Sequence, residues 1–403
     1  MTATVANLGA LLKTLYPSGL PNDVTYHDYP LLALMPRDEG FYGDYMKCPL
    51  KYGNNSGRSA TFSTAQANSD YTKNVAFLLS RVSDYAIAQI SNEAMEAAEK
   101  DAGAFVRTLQ HEIEGAHKAA ITSEAIALAE DGTGCIAQLA SSTTLASTSL
   151  PLRDVEEIVR FEVGQVIQLV SARGSAARSG SLTIVAVNRN TGVLTTNVNI
   201  STGVAAATVS DFIAIQGDVN LKMSGFPAWI VDPSSSLTSS PFFGVDRTVD
   251  PVRLAGVSDD FSNLPIEEAL VKAMKRVHRE GSRADYAFLN FEKFAELENS
   301  LGSKVQYVDV MAKDVGVGFR GIKVNSGKLP VTVLADMTLP SDRLWVVQMD
   351  TWKLASLKKS IRILDQDGNR MLRVSNADVN EIRIGGYKQI GCTAPGYNGN
   401  FSI

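Results

Sequence analysis

The chain has 403 residues, 45% hydrophobic and 20% charged, which supports a sizeable core in two or three domains and excludes a disordered chain. Its formal net charge of -5, without a basic block, gives little electrostatic support for sequence-specific DNA binding. The three cysteines, Cys48, Cys135 and Cys392, are odd in number and far apart, which excludes a disulfide framework or a CxxC metal knuckle and leaves reduced structural thiols.

The first segment, MTATVANLGALLKTLYPSGL, has no basic n-region, so a signal peptide is not expected. No run approaches the roughly 20 apolar residues of a membrane span. Val5, Leu8, Leu11, Leu12 and Leu15 fall at helical spacing and predict a short amphipathic helix on an N-terminal arm, 1–39. GFYGDYMKCPLKYGNNSGRSATFSTAQANSDYTKN follows, with turn signals over 52–57 between β-compatible runs, which predicts an extended hairpin over 40–75. A two-stranded hairpin is marginal in water unless it lies on something, and this one carries few large apolar residues of its own. NVAFLLSRVSDYAIAQI then reads as a strand returning to the body.

From Ser91 the pattern changes. Met95, Ala98, Ala102, Phe105, Leu109, Ile113, Ala116 and Ala120 recur at steps of three and four, predicting one long helix over 91–130 with a single apolar stripe. At 1.5 Å per residue it would be on the order of 57 Å long, a spine across a sheet. It belongs to a unit expected over 76–157, with 133–151 as a Ser/Thr/Ala-rich link.

EVGQVIQLVSA, SGSLTIVAVNRNTGVLTTNV and DFIAIQG predict a small inserted β barrel or sandwich at 158–218, with Arg173 and Arg178 as solvated loop charges. The next unit, 219–358, opens with GFPAWI, where Trp229 is expected in the core, and a proline-punctuated loop with an exposed aromatic tip at Phe242-Phe243. PIEEALVKAMKRVHREG and NFEKFAELENS predict two helices, and the remainder is mostly strand. Residues 359–403 are read as terminal strands returning to the long helix, with Asp367-Gly368 as a hairpin turn.

The motifs of catalysis do not complete themselves. HEIEGAH opens like a zinc helix, but Gly115 stands where the second histidine is needed. GIKVNSGKL has the wrong spacing for a phosphate loop and lies between strands, where no helix terminus faces an anion. Asp365 and Asp367 lack the closing ligands of a calcium loop. No nucleophile elbow is present and nothing directs a histidine at Cys135. No catalytic residue, metal or cofactor is assigned.

The order of parts is the stronger signal: arm, extended hairpin, spine helix, inserted β unit, long loop, two helices and a C-terminal sheet. It resembles the major capsid protein of tailed double-stranded DNA bacteriophages, over roughly 25–390, carried by 40–74, 91–130, 265–281, ADYAFLNFEKFAEL and GIKVNSGKLPVTVLADMTLPSDRLWVVQMDTWKL. The resemblance implies an α+β, HK97-like fold with 40–75 as the loop that lies over an adjacent subunit, the long helix and terminal strands as a peripheral domain, and 219–358 as an axial domain. It further implies a non-enzymatic subunit of hexamers and pentamers of an icosahedral head, made in host cytoplasm and ending in the virion. The partners it implies are other copies of the chain, a separate scaffolding protein, a portal protein, a decoration protein as a further candidate, and packaged DNA touched weakly and non-specifically. Tyr45, Lys47, Lys51, Tyr52, Arg58, Phe62, Phe242, Phe243 and Arg247 are the candidate inter-subunit contacts. Some relatives crosslink this loop through a lysine–asparagine isopeptide, for which Lys47, Lys51, Asn54 and Asn55 match in residue type only, with no catalytic acid in reach of the reading. The alternatives held open are a tail, decoration or host-binding protein, and a metal-free hydrolase.

Overall fold

The computed structural model describes residues 29–93, 102–235, 237–301, 307–312, 317–325, 328–365, 368–375 and 377–403. The arm helix expected at 4–20, the stripe positions Met95 and Ala98, and Asp367 lie outside them.

The apolar stripe does produce a helix, α3 (Ala102–Ala129), and Asp131-Gly132 ends it, with Gly132 at φ 87° where a side chain would be strained. Ile113, Ala120, Ile121, Ala125 and Leu128 are buried at steps of three, four and seven. They lie on a sheet built around the long strand β20 (Val379–Cys392), which pairs antiparallel with β4 (Val82–Ser91) along one side and with β17 (Trp352–Ser356) along the other. Ala88, Ile90, Ile382 and Ile384 face the helix from that sheet, as period-2 alternation requires. The short strands β1 (Arg37–Asp38), β18 (Arg362–Ile363) and β19 (Leu372–Arg373) complete it. The hairpin expected around Asp367-Gly368 is not formed: β18 and β19 each pair with β20 instead of with each other.

The inserted unit begins earlier than 158. Within the expected link, β5 (Cys135–Gln138) and β6 (Ser149–Pro151) are strands, and they flank β10 (Phe212–Ile215), β7 (Val166–Val170), β8 (Leu182–Asn188) and β9 (Val193–Thr196) in the order β5-β10-β7-β8-β9-β6. A Leu139–Leu152 bridge and the Arg153 amide bonded to the Gln138 carbonyl at 2.9 Å join the two ends into a closed barrel. Leu150, Phe161, Ile167, Leu169, Leu182, Ile184, Leu194 and Ile213 fill its interior. The two arginines expected in solvent are structural. Arg178 clasps the buried Asp211 through two bonds of 2.6 and 2.7 Å, and Arg173 bonds Glu130 at the end of α3 at 2.6 Å.

A third layer has the order β11-β21-β16-β12-β15-β14-β13: β11 (Val257–Asp260), β12 (Tyr286–Leu289), β13 (Tyr307–Ala312), β14 (Val317–Asn325), β15 (Pro330–Ala335), β16 (Arg343–Val347) and β21 (Gly399–Ser402). One helix, Ile266–Arg279, buries Ile266, Leu270, Ala273, Met274 and Val277 on it, and a second, Phe291–Leu301, buries Leu297. GIKVNSGKL spans the β14–β15 turn, where Asn325 pairs with Pro330. The expectation that 359–403 would return as one unit fails at its end, because β21 inserts between β11 and β16 of this sheet rather than beside β20.

An aromatic cluster joins the layers. Phe226 stacks between Trp345 of β16 (5.3 Å) and Trp352 of β17 (4.0 Å), and Trp229 meets Trp352 at 6.4 Å. Asn400 and Asn398 accept the two indole N–H groups of Trp345 and Trp352 at 3.1 and 2.8 Å. Beneath α3, Glu124 and Lys388 form a buried pair at 2.6 Å, and Asp84 bonds Lys222 at 2.8 Å. Burial works against the Asp84 charge, but Lys388 and Lys222 outweigh it and hold its pKa below the ordinary carboxylate range.

Candidate assembly surface

The hairpin consists of β2 (Tyr45–Gly53) and β3 (Lys73–Ser80), in register from Tyr45↔Ser80 to Gly53↔Lys73 with a bulge near Lys51. Alternation splits each strand into two faces. Cys48 and Leu50 on β2, and Phe77 and Leu79 on β3, are buried in the main core. Tyr45, Lys47 and Lys51 point outward and are exposed. Arg58 is exposed, and Phe62 begins a short helix, α2 (Phe62–Ala67), in which nothing is buried; its ring is 84% exposed. Tyr52 is half-buried where the hairpin meets the body, its carbonyl accepting from Arg253.

Phe242, Phe243 and Arg247 belong elsewhere. The expected exposed aromatic tip packs inward: Phe242 lies 5.1 Å from Trp229 and 6.3 Å from Phe77, and Phe243 lies 5.7 Å from Trp229. The Phe243 carbonyl accepts from the Leu78 amide at 2.9 Å, so this loop clamps β3. Arg247 stands 4.2 Å over the Phe242 ring and donates to the Ala228 carbonyl at 2.7 Å. Burial, without an opposing carboxylate, pushes its pKa down to about 10. Two adjacent phenylalanines in an aperiodic loop look like a surface anchor; what hides them is Trp229 and Phe77, distant in sequence.

Beyond the clamp, residues 54–72 make almost all their polar bonds among themselves. Gly57 N–H donates to Asn55 Oδ1 at 2.6 Å, Ser56 Oγ to the Asn68 carbonyl at 3.2 Å, and Lys73 pairs with Asp70 at 2.7 Å. Tyr71, not among the sequence-derived contacts, is 74% exposed. A second open surface lies on the sheet face opposite α3, where Tyr85 and Ile87 are 54% and 53% exposed and Tyr85 meets Tyr387 edge-on at 6.2 Å. The alternation in VSDYAIAQI carried that signal, since Tyr85 and Ile87 sit on the face opposite Ala86 and Ala88.

The remaining candidate chemistry is quiet. All three cysteines are buried and free; burial raises the Cys48 and Cys135 thiols and pushes Cys392 up to about 12. Such thiols are poor nucleophiles. His117 is half-buried on α3, with its pKa lowered by burial. Among the described residues, no group of three or more His, Cys, Asp or Glu is placed to hold a metal ion, and no helix is long and apolar enough to cross a membrane.

No family model and no curated protein matches the sequence. Solved structures do match. A chain of the cyanophage A-1(L) capsid asymmetric unit superposes with a TM-score of 0.54 at 12% identity, over 93% of this chain and 91% of that one. The fold is a capsid fold. The capsid of a native GTA particle (TM-score 0.47, 8% identity, 100% of this chain and 99% of that one) and the SrpI encapsulin of Synechococcus elongatus PCC 7942 (0.42, 6%, 98% and 94%) fit more loosely, and the assignment rests on the first. On this fold, the exposed 54–72 tip and the Tyr85–Ile87 face are two surfaces that the chain's own packing leaves open.

Proposed function

We propose that this chain is a major capsid protein with an HK97-like architecture, a subunit without substrate or turnover that assembles into hexamers and pentamers of an icosahedral phage head around double-stranded DNA. The observation that supports this most is the capsid fold across nearly the whole chain, combined with a protruding tip that has no core of its own. In this reading α3 is the spine, the sheet of β4, β17 and β20 the peripheral layer, and the β11–β21 sheet the axial layer. The tip of the hairpin reaches onto an adjacent copy, and Tyr45, Lys47, Lys51, Arg58 and Phe62 are its contacts. Its ordering cost is recovered when the neighbour supplies apolar surface. Phe242, Phe243 and Arg247 act from behind, by fixing the direction in which the hairpin leaves the body.

A scaffolding protein, a portal protein and a decoration protein are proposed partners. Contact with packaged DNA is weak in this reading, because the chain has a net charge of -5 and no basic block to displace counterions.

Electron microscopy of the purified chain, alone and with its scaffold, tests the assignment. Uniform rings or closed particles are expected from the intact chain. Removing 54–70 and closing the gap with a short Gly/Ser turn should leave a folded subunit that forms neither. Persistent monomers of the intact chain in the presence of scaffold overturn the reading; a small discrete oligomer indicates an enzyme or a tail component.

A further inference from the structure

The seam between the barrel and the end of α3 holds more buried carboxylate than guanidinium. Arg160, at the end of the 3-10 turn Val155–Arg160, donates through Nη1 to Glu130 Oε1 at 2.7 Å and to the Ile136 carbonyl at 2.5 Å. Its Nη2 donates to the Thr338 carbonyl at 2.6 Å, so one side chain ties together α3, the barrel and the loop after β15. Arg173 takes the other oxygen of Glu130 and lies 3.2 Å from Asp131. Glu130 is thus fully engaged by both arginines. Glu157 is left with one long contact, 3.3 Å, to an Arg160 nitrogen that already serves two better acceptors.

The surrounding charges relieve it only in part: Arg173 also favours its ionised form, against the like charges of Glu130 and Asp154. From the barrel, Asp154 turns its oxygens to the Glu156 amide and to Ser341, and still faces Glu157 with the same sign. Glu156 borders Glu292 of the Phe291–Leu301 helix. From the loop after β15, Asp336 is wholly buried and bonded to Thr338 and to the Leu31 amide. A cleft of about 1000 Å³ opens beside Glu157, and its basic members Arg153, Arg173, Arg247 and Arg343 hold Gln138, Glu130, the Ala228 carbonyl and Asp232. The cleft gives protons access; its arginines are occupied.

We propose that Glu157 is a proton-operated latch between the barrel and the body. With its carboxyl neutral, the seam closes around Arg160. With it ionised, an uncompensated charge sits in the seam and the 155–161 edge of the barrel opens more often. Burial, only partly offset by Arg160, pushes the Glu157 pKa from an ordinary 4.5 up to about 7. The sign follows from linkage: between those two values the closed seam binds more proton than the open one, so closure is strongest at pH 4.5 and below, weakens as pH rises, and levels off above about 7. The latch is a property of the single subunit and stands apart from any shell.

Amide exchange over 155–161 in the full-length chain, corrected for the intrinsic pH dependence of exchange, measures the opening. Opening should rise by about thirtyfold from pH 5 to pH 7 and then flatten. Glu157→Gln keeps the shape of the neutral acid and should hold the seam at its pH 5 level throughout. Glu267→Gln, which removes the same charge from an exposed position on the Ile266–Arg279 helix, should behave as wild type. Infrared difference spectra supply an independent reading: a protonated-carboxyl band present at pH 6 in wild type should be missing from Glu157→Gln. A flat wild-type profile, an unchanged profile in Glu157→Gln, or no such band at pH 6 overturns the latch.

Discussion

The base of the hairpin, where β2 and β3 pair, and its tip over 54–72 have opposite relations to the rest of the molecule. At the base, Cys48, Leu50, Phe77 and Leu79 are buried among Trp229, Phe242 and residues of β20 and β17. At the tip, over 54–72, no side chain is buried and the polar groups satisfy one another locally. The difference teaches where a long extension ends and a domain begins: the strands stay paired as far as Gly53 and Lys73, but only the part with a clamp behind it contributes to the core. The hairpin therefore needs no neighbour to form. A neighbour is needed only to give the tip something to lie on.

The largest effect should come from the base. Phe77 is fully buried, edge-on to Trp229 at 4.9 Å, so Phe77→Ala removes an aromatic from a packed cluster. A loss of about 3–5 kcal/mol in urea unfolding is expected. A loss below ~1 kcal/mol would mean the base is as loosely held as the tip, and the distinction would disappear. Next is the clamp. Arg247→Met keeps bulk over Phe242 but leaves the Ala228 carbonyl without its donor, which should cost about 1–3 kcal/mol.

How much of this was legible depended on whether a residue's partners were near it in sequence. The α3 stripe was legible because Ile113, Ala116 and Ala120 report their own face by spacing alone. The helix Ile266–Arg279 was legible for the same reason, with Gly281 at φ 101° closing it. The two barrel strands within 133–151 were not. Cys135–Gln138 and Ser149–Pro151 are too short to show a period, and they pair with Phe212–Ile215 and Val193–Thr196, some forty to eighty residues on. Likewise Arg173 and Arg178 look solvated beside their glycines, and only the fold brings Glu130 and Asp211 to them. The strand Trp352–Ser356 went unread because its apolar run is indistinguishable from the adjoining β16 by composition. Of the contact candidates, the exposure of Tyr45, Lys47, Lys51, Arg58 and Phe62 followed from alternation and polarity; the burial of Phe242 and Phe243 required Trp229.

Tip substitutions should sharpen the comparison from the other side. Phe62 contributes no buried contact in the single chain, so Phe62→Ser should leave the unfolding free energy within about 0.5 kcal/mol of wild type. Under the proposed function, the same change should reduce the yield of closed particles, because it removes the largest exposed apolar group on the tip. A destabilised monomer would show that the ring packs on its own body, and the tip would then belong with the base.

The smallest effect is expected at Asp70, and it separates the two regions most finely. Its side chain accepts from Lys73 and from the Tyr71 amide, which together hold its pKa below the ordinary carboxylate range, but the pair is more than a third open to solvent. A depressed carboxylate pKa favours the folded form above its unfolded value and loses that advantage as pH falls through the folded one. At an exposed site solvent and salt screen nearly all of it. The melting temperatures of wild type and Asp70→Asn should therefore superpose from pH 3 to pH 7 in the free subunit at moderate salt. Assembly changes the surroundings and not the pair: once a neighbouring copy covers the tip, Asp70 and Lys73 lose water together, and removing one charge strands the other. The variant should then melt earlier than wild type only as particles. Curves that already separate in the free subunit would mean the tip is ordered against its own body, and the contrast between base and tip would be one of degree.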